Sequence, residues 1–168
     1  MATDTYGVGY NSNTIEGRYN QYARNRELFL ERGRECTQYT IPTLIPEEGH
    51  SATSRYYTPF QGIGARGVNN LASKLLLTLL PPNAPFFRFS IDNFALKEIE
   101  EDENLKTDID KGLVEVEKAV MEDIEISSDR VALFECLKHL VVGGNCLLFV
   151  SKEGLRVFPL DRYVCKRD

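Results

Sequence analysis

Residues 62–82 read Gly-Ile-Gly-Ala-Arg-Gly-Val-Asn-Asn-Leu-Ala-Ser-Lys-Leu-Leu-Leu-Thr-Leu-Leu-Pro-Pro, a glycine-rich entry followed by a helical pattern and a double proline. Apolar residues recur every three or four positions, the spacing of one helix face. Leu77 and Leu80 extend the apolar surface almost all round the second half of this helix, so we expect it to be covered on several sides. The expected packing residues of this helix are Gly64, Gly67, Leu71, Leu75, Leu76 and Leu79.

A second packing helix is predicted between Asp129 and Gly144. Ser128 or Asp129 is suited to its N-cap, and the Gly143-Gly144 pair is suited to a left-handed C-cap. Its apolar residues lie at helical spacing. The expected packing residues here are Phe134, Leu137, Leu140, Gly143 and Gly144.

The other segments predict an α+β fold in which helices dominate. Residues 1–13 are polar and are expected to form a flexible amino-terminal arm. Residues 14 to about 36 predict a peripheral helix. In residues 86–91, apolar and polar side chains alternate from Phe87 onward, which suggests a strand. An acidic helix with an apolar stripe follows. Residues 146–150 and 155–160 predict a β-hairpin that turns through Gly154. The stripe of the acidic helix is Ile109, Leu113, Val116, Val120 and Ile124.

Charge is unevenly distributed along the chain. The 168 residues carry a net charge of −5, whereas residues 98–125 contain twelve acidic residues and three lysines. A solvated acidic helix face explains this excess. Proteins that bind nucleic acid tightly instead concentrate Lys and Arg on one face. The pattern argues against tight binding of DNA by this part of the chain.

The four cysteines lie in apolar contexts without the spacing of a disulfide framework. We expect Cys36, Cys136, Cys146 and Cys165 to be reduced and buried in a protein that assembles in the cytoplasm. No apolar run approaches the roughly 18–20 residues that a membrane span requires. We expect no membrane association.

The run from Gly62 to Gly67 matches the dinucleotide-binding fingerprint Gly-x-Gly-x-x-Gly letter for letter. Its context differs, because Pro59 interrupts the preceding segment and no strand ending in an acidic residue follows about 20 residues later. A tight turn that brings the helix start close to another backbone explains the glycines better. A nucleotide-binding enzyme that uses these glycines is kept as one alternative.

Residues with metal-binding or catalytic potential also have simpler explanations. Cys136 and His139 share a helix face, but a structural zinc site needs four ligands, so we expect a buried thiol beside a histidine that complements the helix dipole. Asp108 and Asp110 lie on the acidic face, where Lys111 can pair with them. No nucleophile has an arguable base, and no Gly-x-x-x-x-Gly-Lys-Ser/Thr loop is present. We expect no catalytic residue, cofactor or metal, so any ATP-driven step belongs to a partner.

Four blocks of the sequence resemble the portal, or head-to-tail connector, proteins of short-tailed bacteriophages (podoviruses). Residues 36–46 (Cys-Thr-Gln-Tyr-Thr-Ile-Pro-Thr-Leu-Ile-Pro) are similar to the block before the first packing helix. The first packing helix resembles the family at two runs, Gly-Ala-Arg-Gly (64–67) and Asn-Asn-Leu-Ala-Ser-Lys-Leu (69–75). Residues 133–149 resemble the downstream helix and strand, and residues 158–165 match except for Cys165, where valine is more usual. The blocks follow the family's order over most of residues 36–168, and nothing is carried over to the first thirty or so residues.

The resemblance implies that residues 14–168 are the amino-terminal part of the portal wing, with stem and clip after residue 168. It further implies a ring, typically a dodecamer, at one capsid vertex of the virion. Such rings initiate head assembly, dock the terminase motor during packaging and later carry the tail adaptor protein. The other implied partners are the major capsid protein and double-stranded DNA, which passes through without sequence specificity. A non-portal tail or adaptor protein is the second alternative.

Overall fold

The computed structural model describes residues 14–51, 53–82, 84–91, 103–127 and 129–166. The predicted flexible arm and the Ser128 cap lie outside this part of the chain. The fold is α+β and mostly helical, as predicted. Its elements are α1 (Ile15–Tyr39), α2 (Ile63–Leu79), α3 (Glu103–Ile126), α4 (Asp129–Gly143), β1 (Leu147–Ser151), β2 (Gly154–Phe158) and a 3-10 turn (Leu160–Arg162).

Helix α1 begins directly after Thr14, which caps its first turn. The Thr14 Oγ1 accepts a hydrogen bond from the Gly17 backbone nitrogen at 3.0 Å, which satisfies one of the free donors of the first turn. The helix extends three residues beyond Cys36. It ends before Pro42, since proline cannot continue a helical hydrogen-bond ladder.

Helix α4 and the hairpin after it are confirmed. Gly144 has φ +70°, the left-handed conformation expected of a glycine C-cap. Strands β1 and β2 pair antiparallel, with Leu147 opposite Phe158 and Ser151 opposite Gly154. Gly154, at φ +111°, makes the turn possible.

Helix α4 is the element on which the fold is assembled, because α1, α2, α3 and β2 all contact it. The buried core next to it combines one residue of α1, two residues of the loop that follows and one residue of the 3-10 turn. Val142 of α4 packs against this cluster. The core residues are Leu30, Leu44, Ile45 and Leu160.

The prediction of a strand at residues 86–91 is wrong, because this segment is irregular throughout. Its backbone bonds to a side chain instead of a neighbouring strand. The Phe89 nitrogen donates to the Glu117 Oε1 of α3 at 2.6 Å. The rings of Phe86, Phe87 and Phe89 make edge-on contacts, with centroids 5.0 and 5.3 Å apart.

The described residues cover only part of the apolar stripe of α3. Ile109, Leu113 and Ile124 are half-buried, whereas Val116 and Val120 are exposed. Glu117 of this helix is buried: it is 8% exposed and accepts the Phe89 hydrogen bond. The expected local ion pair is present, with Lys111 Nζ 3.3 Å from Asp108 Oδ1. Within the described residues, no helix combines the length and apolar character needed to cross a bilayer.

Candidate functional site: a helix junction and its apolar surface

Gly64 allows α2 to begin directly against the end of α1. A Cβ on Gly64 would lie well inside van der Waals contact of the Tyr39 carbonyl oxygen and 3.2 Å from the Thr40 Cα. Both neighbours are backbone and cannot rotate away. Gly64 therefore permits the close backbone approach that the sequence predicted.

Ile45 fills the crossing between α1 and α4. A Cβ on Gly33 of α1 would lie 3.0 Å from the Ile45 Cδ1, and a Cβ on Gly143 of α4 would lie 3.1 Å from the same atom. Ile45 is 2% exposed. The two glycines thus leave the space that this one methyl group occupies, and the crossing has no room for a further carbon atom.

Polar groups tie the ends of the helices together. The Arg130 Nη1 donates to the Leu80 carbonyl at the C-cap of α2 at 3.1 Å, so a cation meets the negative end of that helix dipole. Asp129 Oδ1 accepts from the Leu155 nitrogen of β2 at 2.9 Å. The first two residues of α4 therefore fix the positions of both α2 and the hairpin.

Arg26 of α1 ties the carboxyl-terminal segment to the first helix. Its Nη1 lies 3.1, 2.9 and 2.7 Å from the carbonyl oxygens of Leu160, Asp161 and Tyr163. This contact was not predicted from the sequence, because a residue pattern carries no signal for a charge that binds distant backbone carbonyls.

The predicted packing residues fall into two groups. Leu137 is buried, and Leu75, Leu76 and Phe134 are half-buried. In contrast, Leu71, Leu79 and Leu140 are 46%, 56% and 42% exposed. A Cβ on Gly67 would meet no atom of the described residues within 4 Å. The packing roles of Gly67, Leu71, Leu79 and Leu140 therefore remain predictions.

Helix α2 is covered along one side only, so the expected cover on several sides is not provided by the described residues. Val68 and Ala72 of the helix, and Leu80 at its C-cap, are buried. We call the uncovered apolar side chains on and beside α2 the α2 apolar surface. The members of the α2 apolar surface are Phe60, Ile63, Leu71, Leu77 and Leu79.

His139 and the cysteines differ from expectation in their environment. His139 is 4% exposed. Burial lowers its pKa, against the opposing effect of Glu135, so the ring is neutral at pH 7 and adds no charge to the helix dipole. Cys136 is buried as predicted, and its Sγ lies 2.9 Å from the Cys146 Sγ. Cys36 and Cys165 are exposed, and charged residues, Glu35 and Lys166, lie next to them in the sequence.

Few features of the described residues could hold a small ligand. The glycine run of α2 faces the Tyr39 backbone at Gly64, so that side of the turn is filled by protein. Across the described residues, no three His, Cys, Asp or Glu side chains lie close enough to hold a metal ion. A cavity of about 310 Å³ lies between α1 and the loop after it, with Arg34, His50 and Tyr56 among its lining. The His50 and Tyr56 rings are 4.0 Å apart.

The comparison with known proteins identifies the family. The model of the bacteriophage head to tail connecting protein family matches residues 12–168. The chain belongs to this family of connector proteins. The resemblance inferred from four blocks of sequence is confirmed, and the match also includes the part of α1 before residue 36, which those blocks do not cover.

Curated relatives agree with this assignment. The chain is 38% identical over 170 residues to the portal protein of Enterobacteria phage T3, covering 98% of this chain and 32% of the relative. It is 41% identical over 156 residues to the portal protein of Escherichia phage T7, covering 89% and 29%. The portal protein of Enterobacteria phage SP6 is 32% identical over 151 residues, covering 89% and 29%. This connector chain thus spans about a third of the length of these relatives.

Proposed function

We propose that this chain is the amino-terminal part of a portal subunit whose copies form a closed ring at one vertex of a bacteriophage capsid. The observation that carries the proposal is the family match, together with relatives from several phages that are named portal proteins. The ring would start head assembly, pass DNA inward during packaging and outward during ejection, and hold the tail.

The α2 apolar surface supports the ring proposal physically. Leu71, Leu77 and Leu79 are about half exposed, although the helix carries the most apolar segment of the chain. A ring built from one repeated heterologous contact closes only if each contact sets the correct rotation angle. Well-packed leucines on a rigid helix are suited to such a contact, because close packing admits few orientations.

The distribution of charge supports a passive role toward DNA. The chain has net charge −5, and α3 presents an exposed acidic surface that includes Asp108, Asp110 and Glu115. Phosphate binding needs concentrated Lys and Arg. DNA would therefore pass without sequence-specific contacts to this part of the subunit. We place residues 14–168 in the radially outer wing, with stem and clip in the remainder of the subunit.

Partners and location follow from the same proposal. In the host cytoplasm the ring would bind the major capsid protein and the terminase motor, and in the virion it would carry the tail adaptor protein. The subunit would act as a scaffold without an active site, and the motor would hydrolyse the ATP that packaging needs. Twelve copies are proposed, as is typical of the family.

Electron microscopy of the purified full-length subunit tests the proposal. We expect rings with a wide outer body and an axial channel. A tail or adaptor protein would give particles without that wide outer body, and this result would overturn the portal assignment. Thermal melting with added dinucleotides is the second measurement. A rise in melting temperature would favour the enzyme alternative and would contradict the scaffold role.

A further inference from the structure

Cys136 and Cys146 are brought together by the turn between α4 and the hairpin. Cys136 lies at the middle of α4, and Cys146 directly precedes β1. Gly144, with φ +70°, reverses the chain between them. As a result the two Sγ atoms lie 2.9 Å apart, and the Cys146 thiol also faces the Cys136 carbonyl oxygen at 3.6 Å.

From this geometry we propose that Cys136 and Cys146 form a reversible disulfide when the protein meets a small-molecule disulfide such as oxidised glutathione. Both residues are free cysteines, and the two sulfur atoms need only a small approach to bond. The inference does not depend on the proposed function, since it concerns only the local geometry of α4 and β1.

The unequal exposure of the two thiols sets the order of the steps. Cys136 is 7% exposed, whereas Cys146 is half-buried. The Cys146 thiolate attacks one sulfur of oxidised glutathione, forming a mixed disulfide and releasing one glutathione thiolate. Cys136 then loses its proton to solvent and attacks the Cys146 sulfur, which releases the second glutathione. Two cysteines are oxidised and one glutathione disulfide is reduced to two thiols.

The local environment makes this reaction slow at neutral pH. Burial, followed by the hydrogen bond with Cys136, raises the pKa of Cys146 to about 12. The thiolate is the reactive form. At pH values below this pKa, the rate of cross-linking should therefore rise about tenfold for each unit by which the pH is increased.

Peptide mapping of the native full-length protein tests the proposal. Trypsin cleaves after Lys138 and separates the two cysteines into peptides 131–138 and 139–152. After treatment with oxidised glutathione at pH 8.5, we expect these peptides to be recovered as one disulfide-linked pair. Reduction before digestion should separate them. We also expect the oxidised protein to melt at a higher temperature than the reduced one.

Two single variants test the order of the steps. The Cys136→Ser variant should stop at a glutathione adduct on peptide 139–152. The Cys146→Ser variant should leave peptide 131–138 unmodified, because its thiol is buried. Circular dichroism establishes that each variant is folded, and Cys→Ala versions replace any that is not. The exposed Cys36 and Cys165 serve as internal controls and should form adducts in every variant.

Three results would overturn the proposal. The first is recovery of peptides 131–138 and 139–152 unlinked from native protein whose Cys36 has already formed an adduct. The second is a linked pair that appears only after unfolding in urea. The third is a link from either cysteine to Cys36 or Cys165 in place of the proposed one.

Discussion

The Arg26 Nη1 of α1 lies 2.7 Å from the carbonyl oxygen of Tyr163, a residue 137 positions later in the chain. The same nitrogen is within 3.1 Å of two further carbonyl oxygens, those of Leu160 and Asp161. A single charged group thus binds three backbone carbonyls of the 3-10 turn and the residue after it. The contact holds the end of the described chain on the first helix.

Substitution of Arg26 should loosen this segment. We expect Arg26→Met to lower the free energy of unfolding by about 2 kcal/mol, because hydrogen bonds from a charged donor would be lost. Hydrogen exchange of the amides at 160–163 should accelerate in the variant. Arg32→Met, at an exposed position of the same helix, is the matched control. Equal stability of the two variants would show that the Arg26 contacts contribute nothing measurable.

The two glycines of α2 should respond oppositely to alanine. Gly64→Ala places a methyl group against the Tyr39 backbone and should destabilise the chain by about 2 kcal/mol or more. Gly67→Ala meets no described atom and should stabilise the isolated chain by about 0.5–1 kcal/mol through helix propensity. Urea unfolding measures both. If Gly67 packs between subunits, its variant should also form fewer rings, which size-exclusion chromatography would detect.

Glu117 should be needed to hold the segment around Phe89. Removing this buried acceptor in Glu117→Ala should cost about 1.5–3 kcal/mol, since the Phe89 nitrogen loses its charged partner. Glu117→Gln keeps an acceptor oxygen and should cost less. Glu115→Ala, on the exposed side of α3, is the control and should be nearly neutral. The idea fails if Glu117→Ala unfolds at the same urea concentration as the control.

His139 should make stability depend on pH in the mildly acidic range. Burial lowers its pKa in the folded protein, while the unfolded chain keeps a value near 6.5. The unfolded state therefore binds more protons in this window, and the free energy of unfolding should fall as pH drops below about 6.5. The attraction of Glu135 and Asp161 reduces the effect, and the repulsion of Lys138 adds to it.

Replacing His139 with glutamine removes the titrating group and should flatten this dependence. The measurement is urea unfolding of both proteins at pH 7.5 and pH 5.5. The histidine protein should lose more stability than His139→Gln over that interval. Parallel losses would assign the acid sensitivity to other groups.

Leu76 tests the packing of α2. Leu76→Asp puts a carboxylate among half-buried apolar groups, and a buried unpaired charge costs several kcal/mol. We expect this variant to give no folded rings. Ser73→Asp introduces the same charge at an exposed position of the helix and should leave the fold intact. Intact, DNA-filled heads assembled from Leu76→Asp would refute the assignment of this residue to the packed side.

Sequence patterns predicted those elements whose causes are local. Helix α4, its left-handed Gly144 and the turn at Gly154 all follow from residues a few positions apart. The strand at residues 86–91 was predicted incorrectly, because a strand requires a neighbour and alternation alone does not supply one.

The residues of the candidate site could be predicted from the sequence, but the exposure of their side chains could not. The leucines of α2 were identified, yet which of them this chain covers depends on where α4 crosses the helix. The same limit applies to Arg26, Glu117 and Ile45, whose partners lie on distant segments. Cys36 and Cys165 show the same limit, since both were expected to be buried and both are exposed.

The position of Ile45 between Gly33 and Gly143 has a consequence for how the sequence of this chain can change. One methyl carbon touches both glycines, so these three positions are not free to vary independently. An alanine at Gly33 should become acceptable once Ile45→Val removes that carbon, and each change alone should be harmful. The effect of a substitution at either glycine would then depend on whether Ile45 had already been replaced by valine. We expect the Ile45 substitution to come first.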